Sequence, residues 1–251
     1  METALLTLTC IALLVFIGLI LLLGRRVFSC WSLLVLFFGI YFADNFIILL
    51  TNRFSQLQFI PNRVWEGFLI CGWSGKLYSI LFALALLPFV QAILTRQEVG
   101  LIGRQQAGSL LPSCMVVLAL SAWALYVGIS SPKGKSDLDT ILYLTVMPGL
   151  NEELIYRGYL LGLLDKLMPG KTTLMAAPIG WGVVVTSLLF GLLHGFWLDG
   201  SLSIHLEIIA LRNAAISGFI FAWLKNRTGS LLVPVVAHGL EDFLFFLPRM
   251  L

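Results

Sequence analysis

Runs of predominantly apolar residues alternate with short polar loops along the whole chain. A helix that crosses a bilayer needs about 20 such residues, and about eight runs approach that length. In chain order the runs are Ala4–Leu23, Phe28–Leu50, Phe68–Leu94, Leu110–Ile129, Thr140–Leu164, Pro178–Trp197, Ser203–Leu224 and Ser230–Leu247. The polar segments between them are too short for a soluble domain. The pattern therefore predicts an all-α fold, a polytopic membrane helical bundle with about eight transmembrane helices.

Composition supports the membrane prediction and excludes several classes of protein. Apolar residues make up 59% of the chain and charged residues only 12%, against roughly 25% charged residues in soluble domains. The net charge of +3 is too small and too dispersed for a nucleic-acid footprint. The four cysteines stand singly, which argues against a disulfide framework or a thiolate zinc site. An ordinary cytosolic enzyme, a disordered regulator and a nucleic-acid module are all excluded.

Ionisable residues are unevenly divided between the two halves. The first four runs hold few, among them Asp44 and Lys76. The last four hold Glu152, Glu153, Arg157, His194, His205, Glu207, Arg212, His238, Glu241 and Asp242. Each Asp, Lys or Arg at mid-bilayer costs ~2.5–3.5 kcal/mol, so several in one half indicate a shared site. We predict one integral membrane domain in which residues 1–139 form scaffold helices and residues 140–251 form the catalytic core.

The first chemical motif is N-E-E-L-I-Y-R at residues 151–157. Glu153 and Arg157 are four apart and can pair across one helical turn, whereas Glu152 is rotated by ~100° and points elsewhere. Pro148 and Gly149 suggest a helix start or break, with Asn151 as a cap. The motif fits either an ion-paired helix in the headgroup region or a buried catalytic carboxylate.

Two further motifs each contain a histidine in an apolar run. His194 lies between Gly191 and Gly195, a small-residue spacing that lets helices approach closely. His238 and Asp242 are four apart on one helical face. Asp242 could orient His238, both could ligate a metal, or the pair could be incidental near the end of a helix.

Taken together, these side chains are those of hydrolytic chemistry. A carboxylate among apolar side chains is suited to act as a general base. Histidines from two different runs can share proton transfer or donate to a developing oxyanion.

In order and spacing the motifs resemble the CAAX protease and bacteriocin-processing (CPBP, or Abi) family of intramembrane proteases, whose best-known member is the type II CAAX prenyl endopeptidase. Its E-E-x-x-x-R corresponds to Glu152–Arg157, its F-x-x-x-H to Phe190–His194 and its H-x-x-x-N/D to His238–Asp242. The stretch Gly218–Ser230 is similar to the usual lead-in to the last motif. The resemblance covers roughly residues 141–246.

The resemblance implies a glutamate-dependent endopeptidase. Glu152 would activate water with His194, and His238 and Asp242 would stabilise the oxyanion. The second glutamate and the arginine of the first motif would support the site structurally; these are Glu153 and Arg157.

The residue at Asp242 departs from the prenyl endopeptidase, which carries asparagine there. An ionised aspartate cannot donate a hydrogen bond to an oxyanion. Asp242 is therefore protonated, an orienter of His238, or a metal ligand. No metal is favoured as a cofactor, although a zinc site formed by His194, His238 and Asp242 is the alternative.

Three polar residues of the seventh run lie outside the motifs: His205, Glu207 and Arg212. They fit either internal pairing at a polar helix start near Asp199 or a rim that receives the backbone of a substrate.

The expected partners are a membrane-embedded or lipidated peptide or protein substrate and the lipid bilayer, with no nucleic acid. The expected location is the cytoplasmic membrane of a prokaryote, as a multi-pass protein. The alternatives in other classes are a proton-coupled transporter, which also concentrates ionisable groups at mid-membrane, and a non-catalytic membrane protein of the bacteriocin-immunity type.

Overall fold

The computed structural model describes residues 1–65, 69–130 and 135–250, which form a bundle of helices with three short hairpins. The helices are α1 (Glu2–Leu23), α2 (Arg26–Ser29), α3 (Trp31–Arg53), α4 (Trp73–Val90), α5 (Arg96–Val99), α6 (Leu110–Ser130), α7 (Leu138–Glu152), α8 (Leu161–Leu167), α9 (Trp181–Gly195), α10 (Ile208–Thr228) and α11 (Leu232–Phe246). The strands are β1 (Arg63–Trp65), β2 (Leu69–Cys71), β3 (Lys171–Leu174), β4 (Ala177–Gly180), β5 (Phe196–Leu198) and β6 (Ile204–Leu206).

The predicted class, an all-α membrane bundle, is confirmed. Within the described residues, five helices are long and apolar enough to cross a membrane, namely α1, α3, α4, α6 and α10. The other three apolar runs also contain helix, but α9 and α11 have only 15 residues each. The number of membrane crossings therefore stays a prediction. Phe68, the predicted start of the third run, lies outside the described residues.

The fifth run is a continuous helical rod from α7 to α8, with a π-helical segment, Glu153–Leu160, in its middle. The predicted helix break at Pro148 and Gly149 is wrong, because α7 continues through both residues to Glu152. Asn151 is not a cap; its side chain is buried in contacts with other helices. The helix starts instead at Asp137, whose carboxylate accepts a hydrogen bond of 2.8 Å from the Thr140 amide.

The hairpins are antiparallel pairs, β1 with β2, β3 with β4, and β5 with β6. The β5–β6 hairpin connects α9 to α10. Residues Ser203–Glu207 belong to its second strand and the positions on either side, whereas the sequence predicted that the seventh helical run starts at Ser203. Helix α10 begins only at Ile208. His205 consequently lies on a strand, and Glu207 directly precedes the helix.

Helices approach one another at backbone distance where the sequence places glycine. A Cβ atom on Gly191 would lie 2.6 Å from the Leu211 carbonyl oxygen of α10, and one on Gly195 would lie 2.6 Å from the Glu207 carbonyl oxygen. This confirms that the small residues around His194 allow close packing. A Cβ on Gly239 of α11 would likewise meet the Thr145 carbonyl of α7. These contacts bring α7, α9, α10 and α11 together around the candidate site.

Candidate active site

Glu153 lies at the centre of the site and is completely buried. Its Oε1 accepts a hydrogen bond of 3.0 Å from Arg157 Nη1 and one of 2.8 Å from His238 Nδ1. The ion pair predicted from the four-residue spacing is therefore formed, within the π-helical segment. Such segments are rare and frequent at functional sites. Glu153 joins the first and third motifs, which are 85 residues apart.

Aromatic rings hold Arg157 and His238 in place. The Arg157 guanidinium lies 4.3 Å from the ring centre of Phe190 and 5.2 Å from that of Phe221, at distances favourable for cation–π attraction. Phe221 also stacks on the His238 ring, with centres 4.8 Å apart and planes 15° apart. The phenylalanine of the second motif thus has a defined role, since it contacts Arg157.

Glu152 points to a different set of partners, as its rotation from Glu153 predicted. Its Oε1 accepts a hydrogen bond of 2.7 Å from the Lys76 ammonium of α4. Its Oε2 is buried, has no hydrogen-bond partner among the described residues, and lies 3.9 Å from His238 Nε2. One carboxylate oxygen is therefore fixed and the other is available as a proton acceptor beside an imidazole.

A buried polar network extends from Glu152 into the N-terminal helices. Lys76 also donates to Asn151 Oδ1 at 2.8 Å, and Asn151 Nδ2 donates to Asp44 Oδ1 at 3.1 Å and to Ser79 Oγ at 2.8 Å. The sequence placed Lys76 and Asp44 in the scaffold part and gave them no role. An ionisable residue inside an apolar run is by itself a reason to suspect a functional site, and that signal would have found both.

His194 is held by the backbone of its own helix. Its Nδ1 donates to the Phe190 carbonyl oxygen at 2.7 Å, which leaves Nε2 unprotonated in the neutral ring and able to accept. The ring packs against Phe190, with centres 4.4 Å apart. This bond fixes the tautomer and the direction in which the ring presents its free nitrogen.

Asp242 lies beside His238 without a hydrogen bond, since its Oδ2 is 3.7 Å from His238 Nε2. The carboxylate that binds and orients His238 is Glu153, at the opposite ring nitrogen. As for a metal, the described residues contain no group of three His, Cys, Asp or Glu side chains arranged to hold one ion. The proposed set of His194, His238 and Asp242 does not form such a group, and we derive no step through a metal.

A cavity of about 880 Å³ adjoins the site between α6, α9, α10 and α11. Apolar residues of α6, including Trp123, form one wall. The histidines His194 and His238 and the acids Glu241 and Asp242 line the other side. The cavity therefore presents an apolar surface opposite polar and titratable groups, an arrangement typical of ligand pockets.

The three predicted rim residues have different surroundings. Arg212 lines the cavity and donates to Asn213 Oδ1 from Nε at 3.2 Å. His205 instead pairs with Asp199, with His205 Nε2 2.7 Å from Asp199 Oδ2, and stacks on Trp197. Hydrogen bonds from His205 first, and then from Ser201, hold the pKa of the Asp199 carboxyl well below its usual range.

Glu207 lies at the junction between the hairpin and α10, and its amide donates to the Gly195 carbonyl oxygen at 2.7 Å. Neither His205 nor Glu207 is among the described residues that line the cavity. Of the three predicted rim residues, only Arg212 is among the described residues that line the cavity. For His205, the contacts agree with the alternative of internal pairing near Asp199.

Comparison with known protein families gives a match for the second part of the chain. Residues 135–244 match the family described as type II CAAX prenyl endopeptidase Rce1-like. The matched segment contains Glu152, His194, His238 and Asp242, so the resemblance seen in the motifs is confirmed. No curated protein and no solved structure matches the chain. The apolar helices support a multi-pass membrane protein, and residues 135–244 are similar to proteases of the CAAX type.

Proposed function

From the match of residues 135–244 to the type II CAAX prenyl endopeptidase Rce1-like family, we propose that the protein is a glutamate-dependent intramembrane endopeptidase with Glu152 as general base. The observation that supports the proposal is that the two oxygens of the Glu152 carboxylate have different surroundings. Oε1 is bound by Lys76, while Oε2 is buried, unbonded among the described residues and directed at His238. A carboxylate oxygen that has no hydrogen-bond partner and lies beside a histidine is well placed to take a proton from water.

In the proposed reaction, Glu152 Oε2 accepts a proton from water as the water oxygen bonds to the peptide carbonyl carbon. The carbonyl π electrons move to its oxygen. His238, as an imidazolium with both ring nitrogens protonated, stabilises that oxygen by donating from Nε2 while Nδ1 donates to Glu153. His194 orients the water through its free Nε2. Collapse of the intermediate breaks the carbon–nitrogen bond, and the proton held by Glu152 passes to the leaving amine.

The proposed substrate is a short peptide, a C-terminal segment or another helix that is embedded in or anchored to the membrane. The apolar α6 wall of the 880 Å³ cavity supports this class, because it would accept apolar side chains or a lipid group. The segments between the described helices are short, which suits a short peptide or another helix better than a folded protein. The cytoplasmic membrane of a prokaryote, as the location, is part of the proposal.

A cleavage assay tests the reaction directly. Purified protein in detergent would be given a library of quenched peptides with apolar C-terminal segments, with Glu152→Gln and His194→Ala assayed in parallel. We expect cleavage by the wild type, loss of turnover per folded molecule in Glu152→Gln, and a fall of about 10²–10⁴-fold in His194→Ala. Full activity of Glu152→Gln would show that another group is the base. Cleavage confined to soluble globular proteins would contradict the substrate class.

The same assay with a strong chelator tests the metal-free mechanism that we propose. Because no described triad of ligands surrounds one point, we expect turnover to survive the chelator and to be unaffected by added zinc. Loss of turnover in chelator, with recovery on adding zinc, would replace the glutamate mechanism with a metal-dependent one.

A further inference from the structure

Lys76 is a buried cation that contacts the proposed base directly. Its side chain is 12% exposed, and its Nζ donates to Glu152 Oε1 at 2.7 Å and to Asn151 Oδ1 at 2.8 Å. It lies on α4, whereas both acceptors lie at the end of α7. A part of the chain outside the matched family segment therefore touches the catalytic motif.

The ammonium is itself held by a network in which donors and acceptors are matched. Asn151 uses its carbonyl oxygen for Lys76 and its amide nitrogen for Asp44 and Ser79, so the orientation of the amide is determined. The Ser79 hydroxyl donates to Asp44 Oδ1. Asp44, Ser79 and Asn151 are all buried. Hydrogen bonds between the polar side chains of this network therefore connect α3, α4 and α7.

Stability alone gives no reason for this arrangement. Replacing a buried ion pair with well-packed apolar residues is often neutral or stabilising, and the rest of α4 is rich in apolar side chains. The chain nevertheless places a lysine against Glu152, and Asn151 links that lysine to Asp44. The consequence specific to this network is that one oxygen of Glu152 is fixed while the other stays available.

We propose that Lys76 is a positioning residue for Glu152, an inference that rests on the proposed role of Glu152 as general base. Lys76 binds Oε1 and prevents the carboxylate from rotating, so that Oε2 remains directed at His238 Nε2. Asp44, Ser79 and Asn151 in turn fix the ammonium. Helices α3 and α4 are thus parts of the active site as well as scaffold.

The test compares Lys76→Met, Lys76→Gln and Lys76→Arg with the wild type in the peptide cleavage assay. We expect Lys76→Met to lower kcat by about 10²-fold, the effect of misplacing a reacting group by ~1 Å. KM should stay unchanged, because Lys76 is not among the described residues that line the substrate cavity. Lys76→Arg should recover part of kcat, and Lys76→Gln, which donates without a charge, should recover less.

Lys225→Met is the matched control. Lys225 is also buried, but its Nζ donates to the Glu98 carbonyl oxygen at 2.8 Å and it lines a separate cavity of about 770 Å³. We expect this variant to lower the melting temperature and to leave kcat per folded molecule unchanged. A purely structural role for Lys76 would give the same result at both lysines.

The outcomes separate this inference from the proposed function. Normal kcat in folded Lys76→Met, with Glu152→Gln inactive, would overturn the positioning role and leave the base assignment intact. Normal kcat in Glu152→Gln would overturn the base assignment itself. If Lys76→Met does not fold, Ser79→Ala removes only one hydroxyl of the network. A lower kcat at constant KM in Ser79→Ala would support the inference, and an unchanged kcat would overturn it.

Discussion

Two adjacent glutamates have different partners because their side chains leave the helix in different directions. Glu153 is bound at one oxygen by Arg157 and His238 and is wholly enclosed. Glu152, one residue earlier, is bound at one oxygen by Lys76, and its other oxygen lies 3.9 Å from His238 Nε2. The second oxygen of each carboxylate has no hydrogen-bond partner among the described residues, so it is this position beside Nε2 that distinguishes Glu152. The first arrangement suits a residue that fixes others, and the second suits a residue that exchanges a proton. We therefore expect the two residues of the E-E pair to serve different functions from neighbouring positions of one helix.

Glu153→Gln should reduce stability, because it leaves Arg157 buried without its carboxylate. Removing one partner of a buried ion pair costs about 3–5 kcal/mol in unfolding free energy. Thermal unfolding in detergent would measure the loss. Glu98→Gln is the matched control: the Glu98–Lys166 pair is 37% and 40% exposed, and such pairs contribute about 0–1 kcal/mol. Equal changes in the two variants would contradict a special role for the buried pair.

At the scale of helices, glycine determines how closely the catalytic elements pack. Gly191 of α9 faces the Leu211 carbonyl oxygen and the Ala215 Cβ of α10, which would lie 2.6 and 2.9 Å from a Cβ atom added to the glycine. A side chain at residue 191 would therefore not fit between α9 and α10 at their present distance. Helix α10 carries Ser217 and Phe221 to the site, so its distance from α9 determines where those side chains lie.

Gly191→Ala should therefore separate α9 and α10 and destabilise the protein by about 1–3 kcal/mol, the usual cost of overpacking. Catalytic turnover should fall as well, since His194 is on α9. Gly18→Ala in α1 is the control, because a Cβ there meets nothing within 4 Å; it should be neutral or stabilising by roughly 0.5–1 kcal/mol. The melting temperatures of the two variants test this prediction. A Gly191→Ala variant as stable as the wild type would show that α10 can shift its position to make room for the methyl group.

The sequence predicted those features that depend on local spacing. Apolar runs predicted the helices, and the four-residue spacing predicted the Glu153–Arg157 pair. It could not identify the carboxylate that orients His238, because Glu153 is 85 residues away whereas Asp242 is only four. The Lys76–Glu152 pair, 76 residues apart, was missed for the same reason. The β5–β6 hairpin has strands of three residues, too short for a periodic signal.

At the scale of the whole molecule, the site is assembled from both parts of the chain. The matched family segment begins at residue 135, yet α6, which ends at Ser130, forms the apolar wall of the cavity. The proposed catalytic groups and the apolar wall of the cavity thus come from different segments. Residues 1–139, predicted as scaffold, include both this wall and Lys76. We therefore expect substrate selectivity to depend on α6 and the chemical step on the matched segment.

Ala119→Trp on α6 tests this division, because Ala119 lines the cavity and the new ring would occupy space meant for a substrate side chain. A loss of about 1–3 kcal/mol in binding corresponds to roughly 5- to 150-fold in kcat/KM. The loss should be largest for peptides with bulky apolar residues and smallest for those with alanine. Leu118→Trp is the control, since Leu118 is exposed on the outer face of the helix and is absent from the described lining. An equal loss for all peptides in Ala119→Trp would mean that α6 supports the fold without selecting the substrate.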